Sequence, residues 1–220
     1  MDPPPSSLRR RWYSVSGLSS RTIGSRSPRN VVLIVTEGDT ERIFFDSLKQ
    51  RNSNIRIKPE RGKRTNARQL VEYCVERIKM SELDIEDGDI AICAFDVDNN
   101  SQKDLQEALK NAEKNKIIVA ISNPCFELWY LLHFQEINHH VTPKEIRGYL
   151  SKHIRNYDKT EDYRELLTPH GKEALVRTKR IVKTRGIRII SEYIESENNP
   201  CTSIHIAIDA IERLVKKNQM

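Results

Sequence analysis

The chain has 220 residues, 37% of them hydrophobic, enough for one domain with an added lobe and a sizeable core. No stretch approaches the roughly 20 apolar residues needed to span a bilayer, and the chain start does not read as a secretory signal; the expectation is a soluble, cytoplasmic protein with no membrane partner. Its formal net charge is +6, but residues 1–29 set six arginines against Asp2, so +5 of that charge belongs to one terminal segment and the basic balance cannot argue that the body binds nucleic acid.

That first segment, rich in Pro, Ser and Arg, has too few periodic apolar residues to offset its ordering entropy and is expected to be a disordered basic arm over 1–29. It reads either as a phosphate-binding arm or as a solvated leader. "VVLIVT" then predicts a buried parallel strand, because no polar alternation gives it a wet face. Asp39 or Thr40 is expected to cap a helix through about Gln50, with Ile43, Phe44 and Leu48 on its apolar side. "NIRIKP" predicts a short strand and "NARQLVEYCVERIKM" a helix with Leu70, Cys74, Val75 and Ile78 on one stripe. "DIAICAF" is another apolar run; a polar helix follows from about Lys103 to Asn115, then the run "KIIVAIS", then "NPCFELWYLLHF", where Pro124 suits a helix's first turn. Strand and helix alternate, which implies α/β architecture: a mainly parallel sheet flanked by helices over 30–141.

From Thr142 onward no strand is expected. "TPKEIRGYLSKHI", "GKEALVRTKRIVKTRG" and "CTSIHIAIDAIERLVKKN" each have helical spacing and a start signal, so 142–220 reads as a helical C-terminal lobe. Cys74, Cys93, Cys125 and Cys201 are widely spaced, form no CxxC pair and read as reduced core thiols.

In an open parallel sheet, ligands meet the chain just beyond the carboxyl ends of the strands. Two such ends carry acids here: Glu37 and Glu41 after the first strand, Asp96 and Asp98 after the third. If these strands are neighbours the four carboxylates converge, and acids so close cannot all ionise without a cation. A hard divalent ion, Mg²⁺ or Mn²⁺, suits an all-oxygen site, and Gly38 would let the backbone turn tightly beside it. Either acidic pair alone also fits a plainer role, complementing a helix N-terminus or forming a solvated turn. Occurring together after buried strands, they favour the metal site.

"TEGDTE" after one apolar strand and "FDVDNN" after another resemble the Toprim pattern. Taken with "SNPCFELWYLLHF" and the late "NPCTSIH", they resemble the RloB-like family over roughly Val31 to Leu214. The resemblance implies a Toprim-like core and a metal-dependent phosphodiester hydrolase, a nuclease, in prokaryotic anti-phage or abortive-infection defence, with an ATPase partner from the same locus. It implies that Glu37 is the acid/base group and touches metal, that Asp96 and Asp98 hold Mg²⁺, and that Glu41 helps bind a second ion. The alternative is a non-catalytic Toprim-like subunit that binds nucleic acid or docks on an ATPase. DNA, RNA or tRNA is the expected nucleic-acid partner, and self-association is compatible with either reading.

Glu127 in "SNPCFELW" follows its strand closely enough to face the same crevice as a further catalytic residue, or to serve as a helix cap or core acceptor. His133, six residues on, reads as a core histidine. In "NNPCTSIH", Thr202 or Ser203 is expected to cap the last helix, whose free N–H groups would also suit a phosphate. Between Lys172 and Arg188 seven basic residues face only Glu173; Lys179, Arg180 and Lys183 are the candidates for nucleic-acid contact, against the reading of a solvated helix face. GxxxxGK[ST] and GxSxG motifs are absent, which argues against a P-loop ATPase and a serine hydrolase.

Overall fold

The computed structural model describes residues 30–49, 55–63 and 66–219; the basic arm expected over 1–29 lies outside them. The first three apolar runs form β1 (Asn30–Thr36), β2 (Ile55–Arg61) and β3 (Ile90–Asp96), and the fourth forms β4 (Ile118–Asn123). These four pair in parallel in the order β2–β1–β3–β4. A fifth strand, β5 (Cys201–Thr202), joins antiparallel to β4 and corrects the expectation of a strand-free C-terminal third. A strand of two residues has no periodicity to read.

Helices α1 (Asp39–Ser47), α2 (Ala67–Met80) and α3 (Gln102–Lys114) connect the strands. Asn66 caps α2 by accepting from Gln69 N–H at 2.9 Å, and Ser101 caps α3 by accepting from Asp104 N–H at 3.1 Å. At α1 the cap position is Gly38, and neither Asp39 nor Thr40 caps with its side chain. Asp39 instead pairs with Arg42 and Arg61, and Thr40 Oγ1 donates to the Lys159 carbonyl at 3.1 Å. The helix stops at Ser47, and Phe45, rather than the half-buried Ile43, joins Phe44 in the core. Pro124 is not in a helix: its peptide bond to Asn123 is cis, and α4 (Glu127–Leu131) begins three residues later.

Beyond Thr142, whose hydroxyl and Glu145 form a capping box, come α5 (Pro143–Leu150), α6 (Arg164–Leu167), α7 (Gly171–Arg185) and α8 (Ile204–Lys217). Gly186 ends α7 in the left-handed region at φ 70°, where glycine carries no Cβ penalty. Ser203 holds the cap position of α8 without a side-chain cap bond, and Thr202 Oγ1 accepts from the first helical N–H, that of Ile204, at 3.3 Å. Ser203 Oγ accepts from Ile121 N–H at 2.7 Å and donates to the Val119 carbonyl at 3.2 Å, while Thr202 Oγ1 donates to the Ile121 carbonyl at 3.0 Å. Ser203 and Ile204 are fully buried against the sheet, so this helix start offers no open phosphate site. One hydrophobic core runs from Val32 to Leu214, with Phe45, Phe95, Phe126, Trp129 and Tyr130 among its largest fully enclosed side chains.

Candidate metal centre

The strand order places β1 beside β3, and the connections leave these two in opposite directions, since β2 lies outside β1 and β4 outside β3. Such a reversal opens a crevice at the carboxyl ends of the two strands. Both strands end there in acids. Glu37 N–H continues the β1–β3 ladder to the Ala94 carbonyl at 3.0 Å, and its Oε2 accepts from Asp96 N–H at 3.1 Å. Glu37 is thereby fixed at the root of the Asp96–Asp98 loop.

That loop is held from both sides. Asn100 Nδ2 donates to the Asp96 carbonyl at 2.7 Å, and its Oδ1 accepts from Ala67 N–H at 2.6 Å at the start of α2. Val97 and Asp98 N–H both reach the Pro124 carbonyl at 3.2 Å, linking the loop to the end of β4. From the first turn of α1, Glu41 turns inward and is 4% exposed; from the first turn of α4, Glu127 is 1% exposed.

The five carboxylates sense one another. Burial pushes the pKa of Glu41 up to about 7, helped by the charges of Glu37 and Glu127. Burial, then the fields of Glu41, Glu37 and Glu127, hold Asp96 well above the usual range. Although Asp96 as a residue is partly exposed, its Oδ1 is enclosed and has no hydrogen-bond partner. Glu37 is raised by burial against the opposing Asp96 N–H, and the exposed Asp98 is raised by desolvation and Glu127.

The sequence reading missed the cation among them. Lys159 Nζ stands 2.9 Å from Glu127 Oε1, and its field also favours the charged forms of Glu37, Glu41 and Asp98. Burial pulls Lys159 down, but Glu127 and Asp96 outweigh it and its pKa is raised. Its backbone is pinned by Thr40, and the flanking turn by Asp158 Oδ1 accepting from Thr160 N–H at 2.7 Å. Arg147 reaches Asp98 electrostatically. Neither cation has a signal in sequence, because both lie in the C-terminal third and meet the acids only through tertiary packing.

A hard divalent ion fits the donor chemistry: every candidate ligand is a carboxylate, one buried oxygen lacks a partner, and the mutual repulsion is what a cation relieves. Among the described residues, however, no three Cys, His, Asp or Glu side chains converge on one point as a finished ligand set. The acids are nevertheless near enough to raise each other's pKa.

The remaining candidates sit elsewhere. His133 is 3% exposed, with Nδ1 2.9 Å from the Trp129 carbonyl, and burial pushes its pKa down to about 4: it is a neutral core histidine. On α7, Lys179, Arg180 and Lys183 are exposed, and Arg180 pairs with Glu136 at 2.7 Å. Their neighbours are structural: Arg177 donates to the Leu132 and His133 carbonyls at 2.7 and 2.8 Å, and Arg185 to the Glu197 carbonyl at 3.0 Å. The basic run therefore divides into carbonyl caps and a shorter exposed row.

All four cysteines are buried and free. Among the described residues no helix is long and apolar enough to cross a membrane. No curated protein and no solved structure matches the chain. The model of the family described as RloB-like protein does match, over residues 32–211, with most of β1, all of β3, every acid of the crevice and Lys159 inside the matched span; the chain belongs to the RloB-like family.

Proposed function

We propose that this chain is a metal-dependent phosphodiester hydrolase, a nuclease with a Toprim-type core. The observation that carries the reading is the meeting of Glu37, Glu41, Asp96 and Asp98 at the crevice between β1 and β3. These four would hold Mg²⁺ or Mn²⁺, which when bound supplies positive charge at a phosphoryl oxygen and makes a nearby water more acidic. Glu37 would accept a proton from the attacking water, a role supported by one oxygen being anchored by Asp96 N–H and by burial lifting its pKa. Lys159 neutralises Glu127 and limits the repulsion that would otherwise spread the cluster. Defence against phage and an ATPase partner enter the proposal on the family resemblance.

The test is cleavage of plasmid, single-stranded DNA, total RNA and tRNA by wild type and Asp96→Ala, with Mg²⁺, Mn²⁺ or EDTA. Metal-dependent cleavage reduced roughly a hundredfold or more in the variant is the expected result. The unconverged acids favour a second reading, a nucleic-acid-binding or ATPase-docking subunit that keeps the crevice without turnover. Folded protein that binds Mn²⁺ yet leaves every substrate intact beside its ATPase partner would establish that second reading and overturn the first.

A further inference from the structure

Two Asn-Pro-Cys segments, 123–125 and 199–201, have no part in the proposed chemistry, yet the fold brings them together: Asn123 is the register partner of Cys201 across β4 and β5. Both asparagines are buried and spend their amides on backbone. Asn123 Nδ2 donates to the Tyr193 and Glu195 carbonyls at 3.1 and 2.9 Å; Asn199 accepts from Val141 N–H at 2.9 Å and donates to its carbonyl at 3.0 Å. These bonds lock residues 193–199 against the end of β4 as a fixed wall. Between that wall and α3 lies a cleft of about 530 Å³ that opens beside Asp98.

We infer that this cleft is a base pocket, which takes one unpaired nucleobase of a single-stranded nucleic acid next to the phosphate that the acids would engage; the inference rests on the hydrolase reading for that phosphate. The floor is apolar, from Leu105 and Ile194, and suits the face of a flat ring. The rim is polar and specific. Gln102 and Gln106 lie four residues apart on one side of α3, and Glu195 stands opposite, its Oε1 3.4 Å from Gln102 Nε2. Each amide can donate and accept, and the carboxylate accepts, which matches the mixed edge of a base. No lysine or arginine is among the residues that line the cleft, and beside His140 stand the carboxylates of Asp98 and Glu195, so its chemistry suits an uncharged heterocycle and not a phosphate. No Phe, Tyr or Trp lines it and His140 is the one ring among its lining residues, so recognition runs mainly through the edge, and edge recognition discriminates between bases where stacking does not. A base paired within a duplex cannot turn into a walled cleft, which selects single strands.

The experiment measures binding of fluorescent homopolymeric DNA and RNA single strands, and of a duplex, with Ca²⁺ and without divalent ion, alongside cleavage-site mapping with Mg²⁺. Wild type is compared with Gln102→Ala/Gln106→Ala, at exposed helix positions where alanine keeps the fold. Wild type is expected to prefer one base by roughly tenfold over the others and over duplex, and the variant to lose that preference with its Mn²⁺ affinity unchanged. Preference within the DNA series or the RNA series identifies the natural strand. Equal binding of duplex and single strands, or a preference that survives in the variant, overturns the pocket. Cleavage without base preference overturns the pocket and leaves the hydrolase standing; base-selective binding without cleavage does the reverse.

Discussion

At Gly38 the backbone is extended (φ −123°, ψ 176°), a conformation open to any residue, yet a Cβ built there would stand 2.7 Å from Glu41 Oε2. The expected tight turn is not what requires glycine; the space taken by the Glu41 carboxylate is. Gly38→Ala should therefore fold with little change in stability, since the end of a flexible side chain gives way, and should weaken Mn²⁺ binding roughly tenfold by displacing a ligand. Calorimetric titration with Mn²⁺ checks this, and unchanged affinity in a folded variant would remove Glu41 from the ligand set. Residues of this kind differ in how far sequence reveals them. Glu37, Glu41, Asp96 and Asp98 stand out because they interrupt buried apolar runs. Lys159 and Asn100 do not, because a lysine in an aperiodic stretch and an asparagine in a polar loop look ordinary until the Thr40–Lys159 and Ala67–Asn100 contacts exist.

At the scale of elements, β4 depends on the segment after Pro200 for part of its edge. Ser203 gives the strand a side-chain hydrogen bond at Ile121 N–H and another at the Val119 carbonyl, while its own N–H donates to the Ile121 carbonyl at 2.8 Å. Ser203→Ala would leave a buried donor and acceptor without these partners, at a cost of about 1–3 kcal/mol. A urea unfolding curve reads that loss as a lower midpoint; a change below about 0.5 kcal/mol would show that water replaces the hydroxyl. The long strands and helices were legible because their apolar periods are local properties of the sequence, and β2 through β4 and α2, α3, α5, α7 and α8 fall where the patterns put them. The misses were tertiary in origin. β5 exists only because β4 offers an edge to it, and Ser203 spends its hydroxyl on that edge rather than on capping α8.

For the molecule as a whole, the crevice and the core place opposite demands on pH. Glu41 has a folded pKa of about 7 against an ordinary 4.5, so the folded chain keeps a proton that the unfolded chain releases. Its contribution is fully present below about pH 4.5 and is lost as pH rises through about 7, roughly 3 kcal/mol in all. Asp96 and Glu37 act in the same direction. His133 acts against them: buried and neutral, with its pKa lowered from 6.5 to about 4, it stabilises fully above about pH 6.5 and loses that contribution as pH falls through about 4. The opposing slopes overlap, so His133 offsets part of the loss that the three carboxyls bring as pH rises. The difference between Glu41→Gln and wild type isolates one of them, because the variant cannot ionise at that site. In metal-free buffer the variant's advantage in unfolding free energy should grow from about pH 4.5 and level off beyond about pH 7, and Mg²⁺ should reduce it by stabilising wild type more than the variant. Denaturation curves at several pH values, with EDTA and with Mg²⁺, measure that difference directly. A constant offset across pH would mean that Glu41 ionises freely in the folded chain, and the crevice would then have no unmet demand for a cation at that position.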